Sequence, residues 1–169
     1  MRWPAIQSLY EELTKDSLEN AVDVLWNNIL HLYFKVENNY AIVFQANPDR
    51  KSKTNADFAI RSVHNGELRK VILIEEKHEE GSDAAWTGAL EQLLESMLQA
   101  RVANASKTSP IYGIITVGHY SRFYTLSPGA STFINFSSND MDYKGDPLHF
   151  NNDECSMHTL LEELVRLTS

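Results

Sequence analysis

Val71-Ile72-Leu73-Ile74-Glu75-Glu76-Lys77 is the stretch on which the reading of this chain turns. A short apolar run is the mark of a buried strand, and this one ends abruptly in two carboxylates and an ammonium. Strand alternation puts Glu75 and Lys77 on one face and Glu76 on the other. Upstream, Asp57-Phe58-Ala59-Ile60-Arg61-Ser62-Val63 reads as a second strand, with Asn65-Gly66 as a tight turn between the two. The return strand then spans Arg69 to Lys77. A hairpin of this kind can carry Asp57 back beside the end of its partner, so Asp57, Glu75 and Lys77 are expected together.

Two carboxylates and a lysine suit phosphodiester hydrolysis. Mg²⁺ and Mn²⁺ favour oxygen ligands, and Mg²⁺ commonly takes one or two carboxylates, leaving water and substrate phosphate to complete its shell. Such a metal lowers the pKa of a water and stabilises the leaving oxygen. A lysine on the same face can orient the attacking water or neutralise charge on the phosphate. The plainer alternative is that Glu75-Glu76-Lys77-His78-Glu79-Glu80 forms a solvated charge cluster where a buried strand meets a loop.

On these residues, Asp57 followed by Glu75-Glu76-Lys77, the chain resembles the PD-(D/E)xK nuclease superfamily of restriction endonucleases and DNA repair and recombination nucleases. The similarity extends through a helix-like segment at about 83–104. It continues into Tyr112-Gly113-Ile114-Ile115-Thr116-Val117-Gly118 and Arg122-Phe123-Tyr124-Thr125-Leu126, a strand, turn and strand. Together it covers roughly residues 40–127, and Ala56 stands where many members carry proline. The resemblance implies an α/β fold with a restriction-endonuclease-like core: a central mixed sheet, strands near 40–46, 56–64, 69–77, 111–117 and 121–126, and helices on both faces. It implies a hydrolase in which Asp57 and Glu75 hold Mg²⁺ or Mn²⁺, the Glu76 backbone carbonyl adds a ligand, and Lys77 positions the water. Gln92, on the following helix, corresponds to a glutamine that some members turn toward the site. Glu11, Glu12 and Glu19 are candidates for an extra acidic residue on the first helix, although solvated helix carboxylates account for them as well.

Composition indicates one globular domain spanning the 169 residues, with its core at about 38–127. The hydrophobic content of 43% and charged content of 22% are ordinary. No run approaches the roughly eighteen consecutive apolar residues of a membrane span, and Met1-Arg2-Trp3-Pro4 lacks a signal-peptide block. Cys155 is the only cysteine, so no internal disulfide forms and an intracellular, cytoplasmic or nuclear, setting is expected. The six histidines lack zinc-ligand spacing, and no phosphate-cradling glycine loop occurs.

Charge divides the chain. The net charge is −8, whereas a protein gripping many phosphates is usually basic. Residues 50–77 and 101–137 each carry +3, while 1–49, 78–100 and 138–169 carry −4, −5 and −5. The basic segments hold the site strands and the later strand pair. Arg50, Lys51 and Lys53 could contact a nucleic-acid backbone or form a solvated loop after Asn47-Pro48. The resemblance makes DNA the expected partner of an active enzyme, while the net charge argues against strong sequence-independent binding to DNA by this domain alone. A nuclease-fold domain that no longer cuts, with its acidic surface turned to a protein, is the alternative.

Outside the motif, Ser8-Leu9-Tyr10-Glu11 has capping-box spacing, and Leu18, Val22, Leu25 and Ile29 predict a helix over about 16–32. Trp86, Leu90, Leu93, Leu94 and Met97 predict the buried face of the next helix, with Gln92, Ser96 and Gln99 opposite. Leu160, Leu161, Leu164 and Leu167 do the same for a helix over about 154–168. Residues 128–145 read as loop-rich, and the three tryptophans as core or interface.

Overall fold

A computed structural model of the protein describes residues 3–13, 21–46, 56–77, 83–104, 108–138, 141 and 143–169. The elements run α1 (Pro4–Glu11), α2 (Ala21–Tyr33), β1 (Tyr40–Ala46), β2 (Ala56–His64), β3 (Glu67–Lys77), α3 (Asp83–Ala103), β4 (Ile111–Val117), β5 (Tyr120–Leu126), β6 (Ile134–Asn135), β7 (Leu148–His149) and α4 (Glu154–Thr168). Among the described residues they form a mixed α/β structure around a seven-stranded sheet of order β1-β2-β3-β4-β5-β6, with β7 also pairing β5. β3 and β4 run parallel and the other pairs antiparallel. A parallel neighbour cannot be reached by a tight turn, so α3 is the crossover between them.

The β2–β3 hairpin follows its turn chemistry. Asn65 and Gly66 have φ of 51° and 77°, the positive pair that a type I′ turn requires and that matches strand twist. The turn pairs His64 with Glu67, and β3 starts at Glu67, two residues earlier than the sequence suggests. The register then shifts between Ile60 and Arg61. Arg61 faces Lys70, but Ile60 faces Ile72, leaving Val71 as the extra residue of a bulge.

The sheet is covered on both faces. One side carries α1, α2 and α4, which bury Leu25, Trp26, Ile29, Leu30, Leu160 and Leu164 against Phe58, Ile60, Ile72, Ile74, Ile114 and Phe123. The other carries α3 over Ala59, Leu73, Ile115, Val117 and Tyr124. The predicted stripe on α2 is correct for Val22, Leu25 and Ile29; Leu18 lies outside the described residues. On α4, Leu160, Leu161 and Leu164 are buried but Leu167 is 40% exposed, while its neighbour Thr168 turns inward to the Tyr40 hydroxyl at 2.9 Å.

Three expectations need correcting. Ser8 does not start a helix: α1 begins at Pro4 after an extended Trp3, since proline at the first helical position supplies the helical φ without losing a bond. On α3 the expected Leu93 and Met97 are fully buried and Trp86, Leu90 and Leu94 half-buried against the same core, but the deepest face also takes in Ala89, Ser96 and Ala100. Small residues let the helix lie close to the sheet, and Gly113 beneath it is part of the fit: a Cβ there would meet Leu93 Cδ2 at 2.8 Å and Met97 Sδ at 2.9 Å. Within the loop-rich 128–145, Ile134 and Asn135 pair with β5 as β6.

Candidate active site

The chemistry-bearing residues gather at the carboxyl end of β3. The β2–β3 ladder closes at Phe58 and Ile74; continued one step, that register sets Asp57 opposite Glu75. Residues directly opposite in an antiparallel pair project to the same face. The ladder stops there because the Asp57 side chain takes over from backbone: its Oδ2 accepts the Glu76 N–H at 2.6 Å. The Lys77 carbonyl, by contrast, accepts the Gly118 N–H at 3.0 Å on the β4 side. In a strand the N–H and C=O of one residue point the same way and those of the next residue the other way, so the Glu76 carbonyl is turned toward Asp57.

Val71 decides this alignment. Extended unbroken from the turn, the pairing of His64 with Glu67 would have set Asp57 opposite Ile74, with Glu75 on the other face. A one-residue slip exchanges the faces of a strand, and the bulge makes that slip just before the site.

Glu75 is 2% exposed. Its Oε1 accepts the Ser96 hydroxyl from α3 at 3.4 Å. Its pKa is pushed up to about 8, first by burial and then by the Asp57 charge, with Lys77 and the Ser96 bond pulling back. Glu75 thus feels both other members of the predicted set. Lys77 is half-buried.

Glu76 points the opposite way, toward α2. It is 4% exposed, and neither of its carboxyl oxygens has a partner at full hydrogen-bond geometry. Its pKa is raised well above the usual carboxylate range. Burial is the main cause, followed by the Asp23 carboxyl through hydrogen bonding and charge, then by the charges of Asp57 and Glu75.

Other expectations fall into three groups. Gln92 is exposed, one turn before Ser96 on α3, so it stands beside the site rather than in it. Ser96, placed by the leucine pattern on the outer side, is buried against Glu75 instead, because the small-residue face is the one that meets the sheet. Glu11 and Glu12 are exposed, with Glu11 receiving the Gln7 amide at 2.7 Å. The acidic residue that approaches from the helical layer is Asp23, in the first turn of α2. Its signal was available: a carboxylate flanking the arc of Val22, Leu25 and Trp26. Arg50, Lys51, Lys53, Glu19 and His78 lie outside the described residues.

Asp57 and Glu75 offer the kind of oxygen donors that a hard cation takes. Among the described residues, however, no three His, Cys, Asp or Glu side chains form a ready-made metal cluster; a metal would depend on backbone, water or substrate oxygens as well. No helix among the described residues is long and apolar enough to cross a membrane. Compared with known proteins, the chain has no match: no family model, curated protein or solved structure is significantly similar to it.

Proposed function

We propose that this domain is a Mg²⁺- or Mn²⁺-dependent nuclease that hydrolyses DNA phosphodiester bonds, built on a core similar to that of the PD-(D/E)xK, restriction-endonuclease-like proteins. The observation that supports the reading is that Asp57 and Glu75 lie just beyond the last β2–β3 pair, Phe58–Ile74, where Asp57 Oδ2 accepts the Glu76 N–H and the Asp57 and Lys77 charges both act on Glu75. The donor set fits the cation. It is all oxygen, as Mg²⁺ and Mn²⁺ prefer, and Glu75 is held largely protonated at neutral pH by burial and Asp57, a penalty that a bound divalent charge would relieve.

Asp57 and Glu75 would hold the metal, with the Glu76 carbonyl turned toward the same point. When bound, the metal activates water and stabilises charge on the phosphate. Lys77 has no lone pair while charged and is no ligand. Its ammonium orients the attacking water and neutralises charge that develops on the phosphate. Ser96 holds the Glu75 carboxyl in place from α3, and burial of Glu75 at 2% exposure excludes bulk water from one side. The net charge of −8 favours the second reading, a non-cutting domain with a protein partner, and the same experiment separates the two.

That experiment is a melt under increasing Mn²⁺. A ligand of the folded state alone adds ~2.7 kcal/mol at one hundred times its Kd, so the wild-type melting temperature should rise. Asp57→Asn should lose most of that rise and keep the fold, because the asparagine carbonyl can still accept the Glu76 N–H. A melting temperature indifferent to millimolar metal in both proteins would leave the non-cutting domain as the reading.

A further inference from the structure

The site face continues past Lys77. Lys77 pairs with Val117 and Val117 with Tyr120, so these three side chains form one row across β3, β4 and β5, while His149, which pairs with Tyr120, sits at the sheet end where its ring also meets Tyr10 of α1. The neighbouring row runs from Glu75 through Ile115 to Arg122. Two strand spacings set Tyr120 roughly 10 Å from Lys77. Tyr120 is an exposed ring, at 39%, on a surface that also presents two cations: Lys77, and Arg122 held 4.4 Å over the Trp86 ring.

The ring is also pre-positioned. His149 packs edge-on against Tyr120 at 5.1 Å and lies nearly parallel to His119 at 6.0 Å. His149 is itself anchored: Asp153 Oδ2 accepts its N–H at 2.8 Å, and its Nδ1 accepts the N–H groups of Asn151 and Asn152 at 3.3 Å. The Phe150 N–H bonds the His119 carbonyl at 2.9 Å, tying β7 to the β4–β5 turn.

We infer that Tyr120, braced by His149 and flanked by Lys77 and Arg122, is a stacking platform for an unpaired nucleotide, so that the site takes single-stranded or frayed DNA in preference to intact duplex. The inference rests on the nuclease reading and names its substrate class. A ring stacks only on a base whose face is open, as in a single strand, and does so with little regard to sequence. Lys77 on the same surface, with Arg122 half-buried beneath Trp86 behind it, would offset part of the unfavourable net charge along a bound strand.

The test measures binding without cleavage. Fluorescent oligothymidine and a duplex of equal length are titrated with the protein in EDTA at low salt, and Mn²⁺ binding is measured separately by calorimetry. Wild type should bind the single strand more tightly than the duplex. Tyr120→Ala should weaken single-strand binding by about tenfold, while Tyr120→Phe, which keeps the ring, stays close to wild type. Equal or tighter duplex binding overturns the inference, as does a Tyr120→Ala protein that binds like wild type. If Mn²⁺ binds and no strand does, the platform falls and the metal site stands. If the strand binds with this pattern and Mn²⁺ does not, the platform stands and the nuclease reading falls.

Discussion

Glu75 and Glu76 are neighbours in sequence and opposites in surroundings. Glu75 faces α3, where Ser96 donates to it, Lys77 shares its side and Asp57 stands across the strand gap. Glu76 faces the α2 layer, where Asp23, another carboxylate, meets it and its oxygens lack full hydrogen bonds. Both are buried and both have raised pKa values, so burial alone does not distinguish the two carboxylates. The company does. On the α3 face an acid pair comes with an ammonium; on the α2 face two acids meet inside a large aromatic and aliphatic core, where ionising both would be costly.

The sharpest way to break this contrast is to neutralise Lys77 and each of the two carboxylates in turn. Lys77→Ala should leave metal affinity near wild type while cleavage falls by roughly 10² to 10⁴, the scale of losing a general base or charge partner. Glu75→Gln should impair both metal binding and cleavage. Glu76→Gln should cut close to normally, because glutamine resembles the neutral acid already favoured there and the backbone carbonyl is unchanged. Parallel calorimetry and plasmid-nicking assays check all three. A Glu76→Gln protein as inactive as Glu75→Gln would abolish the distinction between the faces.

A smaller effect lies in pH. The folded pKa of Glu75, about 8, exceeds the ordinary glutamate value of 4.5, so the folded metal-free protein holds a proton that the unfolded chain releases between those values. Its contribution to stability is full below about pH 4.5 and is lost as pH rises through 8. Metal binding runs the other way, since it requires the carboxylate. Apparent Mn²⁺ affinity should rise by about tenfold per pH unit from 6 to 8, with one proton released. Calorimetry in buffers of different ionisation enthalpy measures that proton; none released would mean that Glu75 is not a ligand.

The smallest effect tests the packing that brings Ser96 to Glu75. Gly113→Ala drives a Cβ against Leu93 and Met97. Overpacking typically costs about 1–3 kcal/mol, and the low end is expected because both obstructing atoms end flexible side chains. Urea unfolding gives the value. The matching change in the pH profile is upward, as α3 lifts Ser96 from the carboxylate.

Local pattern was a good guide wherever short-range physics decides. The Asn65-Gly66 turn needed positive φ and has it; the apolar strands and α4 lie close to where periodicity puts them. On α3 the pattern found Leu93 and Met97 but not the centre of the buried arc, because leucine content marks a helix as buried without saying which small residues meet the sheet. Ala89, Ser96 and Ala100 won that arc by size, and with Gly113 they set the distance of approach. Asp23 was passed over for a similar reason: a carboxylate beside a buried stripe is legible, but its partner Glu76 is distant in sequence.

The sequence by itself determined that an acidic-x-lysine end follows a buried strand, that a type I′ hairpin precedes it, and that Asp57 lies on the opposing strand. Those features depend on alternation, turn dihedrals and hydrophobic runs, all local. Only the tertiary structure decided that the β2–β3 register, continued past Phe58–Ile74, leads Asp57 toward Glu75 rather than Ile74. Two-residue alternation makes that outcome hinge on a single extra residue, Val71, whose bulge between the Ile60–Ile72 and Arg61–Lys70 pairs shifts the register by one. A bulge depends on how both strands pack between two helical layers, and no local pattern in β3 states it.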